Sequence, residues 1–189
     1  MYYQKNTCMN SSLQPKQLEL YNKLRNLWTE HVMWTRSFII STATNLGDLD
    51  YVTKRLLRNP ADFADVLRPF YGDVKAIRFE NLLTDHLLIA AKLVNAAKEA
   101  DTKTVDEERK KWYANADDIS MFLSGINPFW SKRNWRALFY EHLQMTEDEA
   151  VQILTGQYEA SIAEYDSIQE EALKMGDYMA YGIIQQFRI

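Results

Sequence analysis

Three histidines are the residues of this chain best suited to chemistry, and all three stand in one repeated setting. The segments are Leu24-Arg25-Asn26-Leu27-Trp28-Thr29-Glu30-His31, Phe79-Glu80-Asn81-Leu82-Leu83-Thr84-Asp85-His86 and Trp135-Arg136-Ala137-Leu138-Phe139-Tyr140-Glu141-His142. Each histidine has a large apolar residue seven positions before it, Leu four before and another large apolar residue three before. An acid directly precedes each one. Successive histidines lie 55 and 56 residues apart. At about 100° per residue, positions −7, −4 and −3 of a helix share a face with residue 0, so each imidazole sits in the middle of an apolar stripe. Three interior imidazoles from three helices of a repeated two-helix unit can reach one level of a bundle. Neutral imidazole is a good ligand for zinc, iron, copper and nickel, and three histidines with one open position make a known catalytic zinc arrangement. A transition metal ion, iron or zinc first, is the cofactor expected at His31, His86 and His142. Glu30, Asp85 and Glu141 are candidates for further ligands or for acceptors that hold the rings.

The competing reading is bland. Core histidines are common as hydrogen-bonded structural residues, and three alike can descend from a duplication. Positions −3 are Trp28, Leu83 and Phe139, so the chain has no Glu-x-x-His motif of a ferritin-like di-iron centre, and it has no His-Glu-x-x-His. Arg36 is a further candidate for gripping a carboxylate or phosphate. Asp117 and Asp177, at the edges of apolar helix faces, are candidates for a central carboxylate. Their simpler role is a hydrogen bond between helices.

Helices must position these groups. Ser11 or Ser12 reads as the cap of a helix with Pro15 in its first turn, running to about Asn45. Short helices are expected from Asp48 to Leu57, and from Asn59-Pro60 to just before Pro69. Gly72-Asp73 reads as a turn. Longer helices follow at about 74–100 and 103–124, then one capped by Ser131 at about 132–144. Thr146-x-x-Glu149 has the pattern of a capping box. It reads as the start of a final helical region reaching Phe187, with Gly156 as a candidate break. The stripe there is Tyr158, Ile162, Tyr165, Ala172, Gly176, Met179 and Ile183. The class expected is all-α, a bundle of four long helices with short bridging ones, with ferritin-like and hemerythrin-like bundles as the nearest architectures. Residues 1–12 read as a flexible tail and 13–189 as a single helical-bundle domain.

Composition narrows the function. Only 6 Gly and 4 Pro in 189 residues are too few for a turn-rich sandwich or barrel. A net charge of −4 and no long Lys/Arg run give no nucleic-acid footprint. No stretch is long enough to span a bilayer. The single cysteine, Cys8, forms no internal disulfide and suits a reducing, cytoplasmic setting. It lies far in sequence from any histidine and is a poor nucleophile. No Gly-x-Gly-x-x-Gly or phosphate-cradling loop occurs. The Tyr and Trp content suits bundle packing, and also a homo-oligomer surface.

Several segments together resemble a small bacterial family of all-helical proteins of unknown function. They are Trp28-Thr29-Glu30-His31-Val32-Met33-Trp34-Thr35-Arg36, Arg55 to Phe63, Pro69-Phe70-Tyr71-Gly72-Asp73, Trp112 to Asp117, Asn127-Pro128-Phe129-Trp130 and Tyr140-Glu141-His142-Leu143. The resemblance covers the chain from about residue 16. Some members of that family carry an acetylglutamate kinase label. This sequence lacks the phosphate loops and the strand–helix alternation that such an enzyme requires. The function expected is transition-metal binding through three core histidines. The alternatives are a non-catalytic interaction or structural protein, and a carrier with a polar core pocket.

Overall fold

Helical periodicity runs almost unbroken through the chain, and short polar or glycine turns interrupt it. The computed structural model describes residues 13–189. It has six helices: α1 (Pro15–Thr44), α2 (Leu49–Leu56), α3 (Asn59–Lys98), α4 (Thr102–Ile126), α5 (Lys132–Leu154) and α6 (Tyr158–Phe187). The described residues contain no strand, so the all-α class stands. None of these helices is long and apolar enough to cross a membrane.

Two boundaries depart from the sequence expectation. The helix expected to stop before Pro69 runs on to Tyr71, and the break falls at Gly72, where φ 77° and ψ 170° suit only glycine. Pro69 is carried inside the helix near that break. The second departure is the chain around Thr146, which does not open a helix. Its hydroxyl donates to the His142 carbonyl within α5 (2.8 Å), and α5 continues to Leu154. The true break is at Gly156, with φ 76°. With α3 counted as two parts at Gly72, there are therefore five long helices and two short ones, rather than four long. Ser11 and Ser12 lie outside the described residues. Gln17 Oε1 accepts the Gln14 N–H (3.0 Å) at the start of α1. Asp101 and Ser131 cap α4 and α5 through the N–H groups of Thr104 and Asn134.

The bend at Gly72 reveals three helical hairpins in succession: α1 with α2 and the first part of α3, the rest of α3 with α4, and α5 with α6. Both α2 and α3 pack on α1, each helix from α3 to α5 packs on the next, and α6 returns to α1. That closure is tight, since a Cβ on Gly176 would stand 3.0 Å from Arg25 Cα. The hairpins repeat their packing position by position. Seven residues before each histidine stand Leu24, Phe79 and Trp135, all with no exposed surface. On the second helices Phe63, Ile119 and Met175 correspond, as do the small residues Ala64, Ser120 and Gly176.

The first helix of each hairpin lies inside, and these three touch one another. Two apolar clusters divide their length. The larger contains Leu24, Trp28, Phe79, Leu83, Trp135 and Phe139. The smaller contains Phe38, Ile39, Leu87, Val94, Ala150 and Ile153. The histidines fall where the two clusters meet. In α6 the first part of the stripe is rotated from the expected one, and the rest falls where expected. Tyr158 and Ile162 are exposed, while Ser161 and Ile168 are buried with Ala172, Gly176, Met179 and Ile183.

Candidate metal centre

The inner helices α1, α3 and α5 each deliver one histidine to the same level. His31, His86 and His142 are each 1% exposed, and one ring nitrogen from each lies within 4.8 Å of the others. Ring centroids are 5.6–6.4 Å apart. Trp28 and Phe139 meet His31 and His86 edge-on and close the site toward the larger cluster.

In the first two hairpins the outer helix holds the histidine from behind through a hydrogen bond. The His31 Nδ1–H donates to Asn59 Oδ1 (3.1 Å), and Asn59 Nδ2 donates to the Leu27 carbonyl (3.0 Å). The second hairpin repeats this. The His86 Nδ1–H donates to Asn115 Oδ1 (2.9 Å), and Asn115 Nδ2 donates to the Leu82 carbonyl (3.0 Å). Each asparagine amide is oriented by the carbonyl four residues before the histidine. That orientation presents its oxygen to the ring, so the proton is on Nδ1 and the lone pair on Nε2. In the third hairpin the corresponding residue is Glu171, 1% exposed, with Oε2 3.4 Å from His142 Nδ1. Asn59, Asn115 and Glu171 follow one another at intervals of 56 residues. Among the described residues neither oxygen of Glu171 has a hydrogen-bond partner.

With the Nδ1 atoms turned outward, the Nε2 atoms are the ones that remain for an ion. That of His86 accepts the indole N–H of Trp112 (3.1 Å). Burial, and then the neighbouring His142, lowers the His31 pKa to about 3. Burial also holds His86 well below its ordinary value, with His31 and His142 adding to the effect. Both rings are therefore neutral, lone-pair-bearing donors at physiological pH.

The donor set fits a metal ion in kind. Imidazoles fixed through Nδ1 by amide or carboxyl acceptors are the usual dress of histidine ligands. The single carboxyl group supplies countercharge for a cation. In size, a tetrahedral ion with bonds of about 2.0–2.1 Å needs nitrogens about 3.4 Å apart, so the rings would draw together by up to about 1.4 Å.

The other candidates lie elsewhere. Glu30 does not enter the site, because it accepts from Arg55 (2.6 Å) and Asn26 (3.0 Å) on the outside of α1. Asp85 and Glu141 are exposed. One residue of helix turns a side chain by about 100°, which carries all three acids off the buried face. Arg36 is filled by the molecule itself. It donates to Glu149 (2.5 Å) and to the Ser161 carbonyl (2.9 Å), tying α1, α5 and α6. Asp117 accepts from the Tyr140 hydroxyl (3.3 Å) and pairs with Arg136 (2.8 Å). Asp177 accepts two bonds from Arg25 (2.5 and 2.6 Å). Both are ties between helices at the surface. Cys8 lies outside the described residues.

Sequence reasoning missed Asn59, Asn115 and Glu171 as a set. The signal was the same period, since they follow His31, His86 and His142 by 28, 29 and 29 residues. Fold and site define a class: a bundle of three helical hairpins around a buried three-histidine cluster. The chain matches no protein-family model, no curated protein and no solved structure.

Proposed function

We propose that this protein binds one transition metal ion through the Nε2 atoms of His31, His86 and His142. Asn59, Asn115 and Glu171 act as positioning residues behind the rings. One observation carries the reading: three separate helices bring three buried ring nitrogens within 4.8 Å of one another. The donors are nitrogen without thiolate, which suits zinc or iron. Such an ion supplies a Lewis acid or a redox centre when bound. The protein's own contribution is a buried, aromatic-walled site, two rings of fixed tautomer and one buried carboxyl group. A cytoplasmic setting belongs to the proposal and rests on a single cysteine in the sequence.

The test is elemental analysis of untagged protein, as purified and after reconstitution with zinc or iron(II). One ion per chain is expected, and it should be lost in His31→Gln, His86→Gln and His142→Gln while each variant stays helical. Protein that retains no ion after reconstitution overturns the proposal.

A second reading has one contact in its favour. The Trp112 N–H already occupies the lone pair of His86, as a purely structural histidine core requires. Trp112→Phe separates the two. If the centre holds metal, the variant binds it at least as tightly, because a competing donor is gone. If the core is only structural, the variant loses stability and gains no affinity for any ion.

A further inference from the structure

A cavity lies one helical turn beyond the histidines. Thr35, Ala90 and Thr146 line it, and each follows its histidine by four residues. Residues four apart share a helix face, about 6 Å along the axis. The cavity therefore sits on the bundle axis, directly above the cluster. A turn further on, Ile39, Val94 and Ala150 continue its wall. Trp112 joins the two places, since its ring lines the cavity and its N–H donates to His86.

The cavity has the size and chemistry for one small apolar molecule. The centre of a water molecule sweeps about 20 Å³ within it. About 10–15 Å³ suffices for one water, so the space is on the scale of one diatomic molecule or one noble-gas atom. A resident water needs two to four polar partners. The polar groups of this wall are already engaged. The Thr35 and Thr146 hydroxyls donate to the carbonyls of His31 and His142 (2.7 and 2.8 Å). Glu147 is held by Arg109 (2.9 Å). The remaining wall is aliphatic and aromatic, and apolar cavities of this kind stay dry and take up apolar guests.

We infer that this cavity is a docking site for an apolar diatomic gas of dioxygen's kind, which it holds one turn from the histidine centre. Its use as an antechamber rests on the metal-centre proposal, whereas its occupancy by gas does not.

The experiment is methyl NMR on the full metal-free chain, under xenon as a probe and then under dioxygen. Saturable shifts with xenon and enhanced relaxation with dioxygen are expected at the methyls of Ile39, Leu87, Val94 and Ala150. Leu123 and Ile183, in the other cluster, should stay silent. Ala150→Leu fills the space and should abolish both responses. Ala90→Val is the second variant, should Ala150→Leu fail to fold. No saturable response, or a cross-peak from water to these methyls, overturns the inference. The triple variant His31→Gln/His86→Gln/His142→Gln should keep the xenon response. That response without any metal uptake would leave the gas site standing and the metal proposal refuted. In metal-loaded protein, Ala150→Leu should slow any gas-dependent change in the metal's spectrum several-fold at unchanged metal content. An unchanged rate would overturn the antechamber role.

Discussion

Glu171 is the residue on which the histidine cluster turns from a symmetric packing device into an asymmetric centre. Two hairpins place a neutral amide behind the histidine, and the third places a carboxyl group in the same position. A buried carboxyl group without hydrogen-bond partners weakens a fold unless a cation compensates it. Two effects of opposite sign follow for Glu171→Gln. Metal affinity should fall by about 10- to 100-fold, as for other outer partners of histidine ligands. The metal-free variant should be more stable than the parent in urea denaturation. Equal metal affinity would remove Glu171 from the centre. The histidines give a pH dependence as well. Unfolded, His31 takes up a proton near pH 6.5, but folded it does so only near pH 3. Between those values the unfolded chain binds more protons. The stability is complete above pH 6.5 and is lost as the pH falls toward 3. His86 is shifted in the same direction. Each such histidine costs about 1.4 kcal/mol per pH unit in that window. Urea titrations of metal-free protein between pH 7 and pH 5 should show the loss, and His31→Gln should reduce the slope.

The apolar stripe around each histidine was legible as an element because large residues at −7, −4 and −3 admit no other reading than a buried helix face. The partner set was not legible. Asn59 stands before a proline and reads as a helix start, and Glu171 follows Gln169-Glu170 with no motif to single it out. Helix ends were misplaced where a local motif competed with continuity. Thr146-x-x-Glu149 imitates a capping box, yet the Thr146 hydroxyl returns to the His142 carbonyl and Glu149 turns to Arg36. Two glycines carry constraints that test the packing. Gly72 occupies a backbone region that other residues enter at a cost of about 1–3 kcal/mol, and Gly72→Ala should destabilise by that amount. A Cβ on Gly182 would stand 1.9 Å from Trp130 Nε1, whose N–H donates to the Tyr178 carbonyl. Gly182→Ala must displace a buried indole, and denaturant unfolding should show a loss of about 1–3 kcal/mol. Wild-type stability in either variant would mean that these contacts are wrongly placed.

Three hairpins whose inner helices meet on one axis, with α4 against α5 and α6 against α1 around them, make a molecule that a central ion can cross-link. The 55- and 56-residue spacing exposed that design in the sequence, because it predicted three histidines at one height. The closure of α6 on α1 was not visible, since it depends on the small residue Gly176 against the α1 backbone. An ion bound to all three hairpins has no equivalent site in the unfolded chain, so its binding energy adds to folding. At a hundredfold excess over Kd the gain is about 2.7 kcal/mol, which should raise the unfolding midpoint by roughly 5–10 °C. The most direct test of the whole account is X-ray absorption spectroscopy on untagged protein loaded with zinc or iron(II). One ion per chain, with three imidazole nitrogens at about 2.0–2.1 Å, is the result expected. An ion surrounded by surface carboxylates and water, or none retained, would contradict it.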